Sequence, residues 1–186
     1  MMNVKQFPVL ETERLLLREV TKEDAPAIFR YLSDEEVMKY YGLLPFTQVS
    51  EAEEEIEWYR SIFENGTGIR WGITLKSQPD QVIGSCGFLA YAQRHARTEI
   101  GAELTKEHWR TGVMSEAFKA VLEFGFKEMN LMRIQGLIDP ANVGSQKLVE
   151  KFGFVREGLL RKYERTGNKF EDVFMYALLQ TEWNTP

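Results

Sequence analysis

Three strand-like runs follow one another in the middle of the chain with only turns between them, and this constrains the fold more than any other feature. Residues 69–75 (IRWGITL), 82–91 and 98–104 (TEIGAEL) are rich in β-branched, aromatic and small apolar residues. Ser77-Gln78-Pro79-Asp80 separates the first two, and a polar, basic loop around 94–97 the last two. Strands joined so closely pair antiparallel, because a parallel neighbour needs a crossover of about a dozen residues or more. Upstream, 13–20 (ERLLLREV) reads as another strand, followed by two helical patterns. The first, 22–33, carries Thr21 as N-cap with Asp24 three residues on. The second starts at Ser50, runs to about 64 with Ile56, Tyr59, Ile62 and Phe63 inward, and stops at Asn65-Gly66. Downstream come a helix (114–129), a strand (132–138), a helix (142–151) stopped by Gly153, and two strands (155–164 and 170–180) around Thr166-Gly167-Asn168. Hairpins followed by a crossover specify a mixed α+β sheet, not a doubly wound one. With no repeat, linker or low-complexity tract, residues 1–186 read as a single domain.

Charge and composition narrow the partners. A net charge of −5 repels phosphate backbones, so no DNA partner is expected, and a cationic one suits the chain better. The single cysteine, Cys86, rules out an internal disulfide and fits a reducing cytoplasm. It sits in Gly84-Ser85-Cys86-Gly87 with no histidine partner in view, as a buried small hydrophobe would. The first ten residues, with Lys5 and Pro8, show no apolar core of a signal peptide. The longest apolar run, 173–179, falls far short of the roughly 20 residues a membrane helix needs. His95, His108 and one cysteine make no plausible zinc set, so no metal is expected. There is no Walker loop and no G-x-G-x-x-G after a strand.

The most informative stretch is 107–117, EHWRTGVMSEA. A strand ends near Leu104, a short polar loop with Gly112 follows, and a helix begins at once. Unpaired N–H groups at a helix start, with a glycine admitting close approach, make a diphosphate cradle. The same residues equally suit an ordinary strand-to-helix loop with a capping glycine.

His108, Trp109, Gly112, Glu116 and Ala117 follow the pattern Y-W-G-x-G-x-A/G-x-E-A, with His108 in place of tyrosine. Together with ETERLLLRE (11–19), Glu99-Ile100-Gly101 and DPANVGSQKLVEKFGFVREG (139–158), in that order, the chain resembles the GNAT acetyltransferase superfamily, and within it the ribosomal-protein N-terminal acetyltransferase group. The resemblance covers nearly the whole chain. It implies an α+β fold with a mostly antiparallel sheet of about seven strands, splayed between the fourth and fifth, and about four helices. It implies acetyl-CoA as co-substrate, its pyrophosphate on the backbone of Trp109, Arg110, Thr111, Gly112, Val113 and Met114. The pantetheine arm would lie along Ala102, Glu103 and Leu104. Arg110 stands where glycine is common and Met114 where glycine or alanine is usual, so a long side chain at either could crowd the diphosphate.

Taken alone, Asn142 is a good N-cap and Ser145 an ordinary first-turn residue; the resemblance implies that Asn142 binds the cofactor arm and Ser145 is the acid for the thiolate. Glu99 is either a solvent-facing strand residue paired with Arg97 or, on the face opposite Ile100, a base acting through water; Glu103 is the fallback. The acidic run Glu51, Glu53, Glu54, Glu55 and Glu57 reads as a solvated helix face, or as attraction for a cationic acceptor. Trp58, Trp71 and Trp109 read as packing residues. The implied reaction is direct attack by a primary amine without an acetyl-enzyme. The expected acceptor is the N-terminal α-amine of a ribosomal or other protein; a polyamine, amino acid or aminoglycoside is the alternative. A lysine ammonium, near 10.4, is harder to deprotonate than an α-amine near 8. A non-catalytic CoA-binding module is the reading from another class. A weak homodimer is the family's habit.

Overall fold

A computed structural model describes residues 6–183, so Lys5 and the residues before it, part of the stretch read for a leader, lie outside the described residues. The elements run β1 (Leu10–Glu11), β2 (Leu15–Arg18), α1 (Ala25–Leu32), α2 (Glu35–Met38), α3 (Val49–Glu64), β3 (Ile69–Leu75), β4 (Gln78–Ala92), β5 (Arg97–Leu104), α4 (Val113–Lys127), β6 (Arg133–Ile138), α5 (Val143–Lys151), β7 (Val155–Thr166) and β8 (Lys169–Leu179). Among the described residues, eight strands form one sheet in the order β1-β2-β3-β4-β5-β6-β8-β7, antiparallel everywhere except between β5 and β6. No helix among the described residues is long and apolar enough to cross a membrane.

Strand alternation divides the two faces. Ile69, Trp71 and Ile73 of β3, with Ile100 and Leu104 of β5, point into the larger core with Val113, Ala117, Val121 and Phe124 of α4. Trp71 is fully buried and meets Phe88 and Phe124 edge-on. On the other face Ala25, Ile28, Tyr31 and Leu32 of α1 pack with Ala52, Ile56 and Tyr59 of α3 and with Val20 and Val82. The residues between, Arg70 on β3 and Glu99, Gly101 and Glu103 on β5, therefore look toward α3.

Several boundaries differ from expectation. Helix α3 starts at Val49, not after Ser50, because the Glu51 carboxylate takes the N–H groups of Thr47 (2.6 Å) and Gln48 (2.9 Å), making Gln48 the cap. At the first helix, Thr21 N–H donates to Asp24 Oδ2 at 2.8 Å, but these residues close a 3-10 turn that leads into α1. The turn between β3 and β4 is Lys76-Ser77; residues 79–81 are exposed in an irregular start to β4, where the register slips from Leu75↔Gln78 to Thr74↔Val82. A bulge tolerates Pro79 because no ladder bond depends on its missing N–H. The eighth strand is the two-residue β1, and the fifth helix the single turn α2.

Candidate active site

The parallel pairing of β5 with β6 lasts three rungs, Arg97↔Arg133, Thr98↔Ile134 and Glu99↔Gln135. Beyond Glu99 the strands part, leaving residues 100–104 without a strand partner on that side among the described residues while β4 still pairs with the other edge. The expected splay is thus between β5 and β6. The open edge of β5 leads directly into the loop 105–112, and β6 leads into the N-terminus of α5.

The loop is a cradle of main-chain amides. Arg110 has φ 61 and Gly112 φ 84, so the chain turns twice through the left-handed region before α4 begins. Glu116 N–H to the Gly112 carbonyl (3.0 Å) is the first bond of the helix, which leaves Val113, Met114 and Ser115 N–H without helical acceptors. Val113 is buried and Met114 packs partly against the core, so neither side chain covers the amides. Arg110, Thr111 and Gly112 are exposed. Trp109 is 42% exposed, less of a packing residue than expected, and its Nε1 donates to the Leu104 carbonyl at 2.8 Å, tying loop to strand end.

A buttress that the residues alone did not reveal stands behind this loop. Glu116 accepts from Thr12 Oγ1 (2.6 Å), Arg14 N–H (2.8 Å) and Arg14 Nε (2.7 Å), while Arg14 Nη1 donates to the Thr111 carbonyl at 3.2 Å. Burial pushes the Glu116 carboxyl up, but these donors outweigh it and hold it below the usual range. The signal was the joint presence of Thr12, Arg14 and Glu116 in the two matched stretches, which spacing of 102 residues hides.

On the second limb, Asn142 Oδ1 accepts from Ser145 N–H at 3.1 Å, the capping role expected of it as an isolated residue. Ser145 lies half-buried in the first turn of α5, across the split from β5. Glu99 sits at the fork. Burial raises its carboxyl, with Glu164 of β7 adding repulsion, against a hydrogen bond with Gln135. Ile100 is in the core as expected, so Glu99 occupies the opposite face. Ala102 and Leu104 line the same strand on the core side.

Glu103 is not a free carboxylate. It forms a buried ion pair with Arg70, accepts from Ser85 Oγ, and accepts from Tyr59 Oη at 3.3 Å. A β-carbon at Gly101 would come within 2.9 Å of Arg70 Nη1, so a larger residue there would push the guanidinium. Arg70 was legible as an anomaly: a charge within an apolar strand run demands a partner. The acidic stretch of α3 divides its work. Glu51 caps, Glu57 pairs with Lys22, and Glu55 turns inward with its carboxyl raised by burial. Cys86 is fully buried and burial pushes its thiol up to about 12, which suits an inert residue.

The acetyltransferase (GNAT) domain family matches residues 14–155. The chain belongs to the GNAT acetyltransferase family. A curated relative, the uncharacterized N-acetyltransferase p20 of Bacillus licheniformis, is 41% identical over 174 residues, 94% of this chain and 97% of its own. The ribosomal-protein-serine acetyltransferase of Escherichia coli is 28% identical over 98 residues, 53% of this chain and 55% of its own. A solved GNAT acetyltransferase from Bacillus anthracis superposes with a TM-score of 0.82 at 30% identity, covering 94% of this chain and all of that one. This GNAT chain is thus an acetyl-transferring enzyme.

Proposed function

We propose that this enzyme transfers the acetyl group of acetyl-CoA directly to a small cationic primary amine. The observation that carries the reading is the open edge of β5 from residue 100 onward, running through the Arg110–Gly112 turn into the Val113, Met114 and Ser115 N–H groups that have no helical acceptor. These residues fit the co-substrate: main-chain N–H groups at the start of α4 take the diphosphate, and the β5 edge takes the amide-bearing pantetheine arm as an added strand would be taken. A backbone N–H of that edge polarises the thioester carbonyl. Glu99 receives the proton of the incoming ammonium, directly or through water, and the amine nitrogen then attacks the carbonyl carbon as the C–S bond breaks. Ser145 supplies a proton to the departing thiolate and regains one, directly or through water, from the nitrogen as it becomes an amide; Asn142 fixes the turn that carries Ser145.

A small acceptor is favoured by a contact between the loop after α2 and the hairpin that carries Glu164, whose charge acts on Glu99. A β-carbon at Gly42 would lie 3.3 Å from Glu164 Oε2, and one at Gly167 3.8 Å from Leu44 Cδ2, so the loop after α2 touches the tip of the β7–β8 hairpin. The second reading, a protein N-terminal α-amine, is supported by the name of the E. coli relative. Thiol release from acetyl-CoA, measured with small amines and with short peptides bearing free N-termini, separates the two. Glu99→Gln and Ser145→Ala should each lower the rate by about 10²–10⁴-fold. Full activity in both variants would remove these residues from the reaction.

A further inference from the structure

The face of β5 that carries Glu99 continues into a polar cluster that ion pairing within the protein does not complete. Arg70 is the one cation among these groups, and Glu103 takes it. Glu55, one turn before Tyr59 on α3, adds a second carboxylate, which leaves the cluster one negative charge in excess. Tyr59 Oη lies 3.3 Å from Glu103 and also within reach of Glu55 and Tyr41. A phenol has one proton to donate, so Tyr59 cannot serve Glu103 and the partly buried Glu55 at once. Beside them Tyr31, 1% exposed, has a buried hydroxyl with no hydrogen-bond partner among the described residues. The charged and polar groups acting on that hydroxyl are Glu103, Tyr41, Arg70 and Glu55, so it faces the same cluster. Buried polar atoms are almost always paired, and an orphaned hydroxyl beside a donor-poor carboxylate indicates a ligand that brings donors and positive charge. A protonated amine has both: three N–H donors and one charge, matching the deficit.

We propose that Glu55, Tyr31, Tyr41 and Tyr59 bind a second ammonium group of the acceptor, making the substrate a linear di- or polyamine. This deepens the small-amine reading above and rests on it. Glu103 is four residues from Glu99 on the same face of β5, with Gly101 midway between them. At about 3.3 Å per residue the anchoring and reacting nitrogens are roughly 7–13 Å apart. Phenol rings and a carboxylate hold an ammonium by cation–π attraction and charge-assisted hydrogen bonds together. The Arg70–Glu103 pair, neutral as a unit, forms the floor.

The test is kcat/KM for thiol release across α,ω-diaminoalkanes of rising length, each compared with the monoamine of equal chain length. Diamines whose nitrogens reach the stated spacing should exceed their monoamines by about tenfold or more, and shorter ones should not. Glu55→Gln should collapse that ratio toward one. Tyr31→Phe should reduce it while raising Tm in the absence of amine, because it deletes an unsatisfied buried hydroxyl. Equal turnover of diamines and monoamines, or a ratio unmoved by Glu55→Gln, would overturn the second site alone. Failure of every small amine alongside acetylation of peptide N-termini would instead overturn the small-amine reading beneath it.

Discussion

Arg110 shows how a single residue can be at odds with its backbone and still leave the site intact. At φ 61 a side chain crowds the following carbonyl, a strain of about 1–2 kcal/mol that glycine escapes. Arg110→Gly should therefore stabilise the enzyme by up to about 1 kcal/mol after its extra chain entropy is counted, about 2–4 °C in Tm, with CoA affinity preserved. An unchanged or lower Tm would show that Arg110 makes compensating contacts. Glu99 carries the opposite sign of trade. Its carboxyl is raised in the folded state, so the native protein holds the proton more tightly than the unfolded chain. Stability from this group is full below the ordinary carboxylate range and lost as pH rises through the raised value. At neutral pH Glu99→Gln should melt higher than the wild type, and the gap should close on acidification, even as activity is lost. The sequence could place Glu99 on the correct face by alternation with Ile100. It could not show Gln135 beside it or Glu164 above it, because those contacts are made across β6 and the distant hairpin.

Among elements, those with a period were legible and those without one were not. The long helices and hairpins reveal themselves by spacing, whereas β1 has two residues and α2 four, too few to display any repeat. The Pro79-Asp80 pair resembles a turn but lies in a strand because the bulge absorbs it. The capping of α5 by Asn142 was readable from residue type alone. Less readable was the join between β3, β4 and β5 through Arg70, Ser85 and Glu103, since each residue sits on a different strand. This cluster predicts an asymmetry between single and double substitution. Glu103→Gln alone strands a buried guanidinium and should cost about 3–5 kcal/mol in urea denaturation, while Arg70→Met with Glu103→Leu should recover most of it. Equal losses in the single and double variants would show that the pair is not coupled.

At the scale of the whole molecule, the proposed chemistry rests on one topological fact: a sheet otherwise antiparallel contains one parallel contact, and that contact fails after three rungs. Crossover through α4 brings β6 beside β5, and the two strands then diverge toward different helix N-termini, one with the amide loop and the other with Asn142 and Ser145. Local sequence specified the mixed sheet, but the divergence was available only through resemblance, because no periodicity marks where two strands stop pairing. In the proposed complex the diphosphate lies against the N–H groups between Arg110 and Ser115, with the pantetheine arm on the open β5 edge. A crystal structure of the enzyme with CoA measures this directly. Diphosphate oxygens within hydrogen-bonding distance of those amides, and arm density alongside residues 100–104, is the predicted result; diphosphate bound anywhere else on the molecule would contradict it.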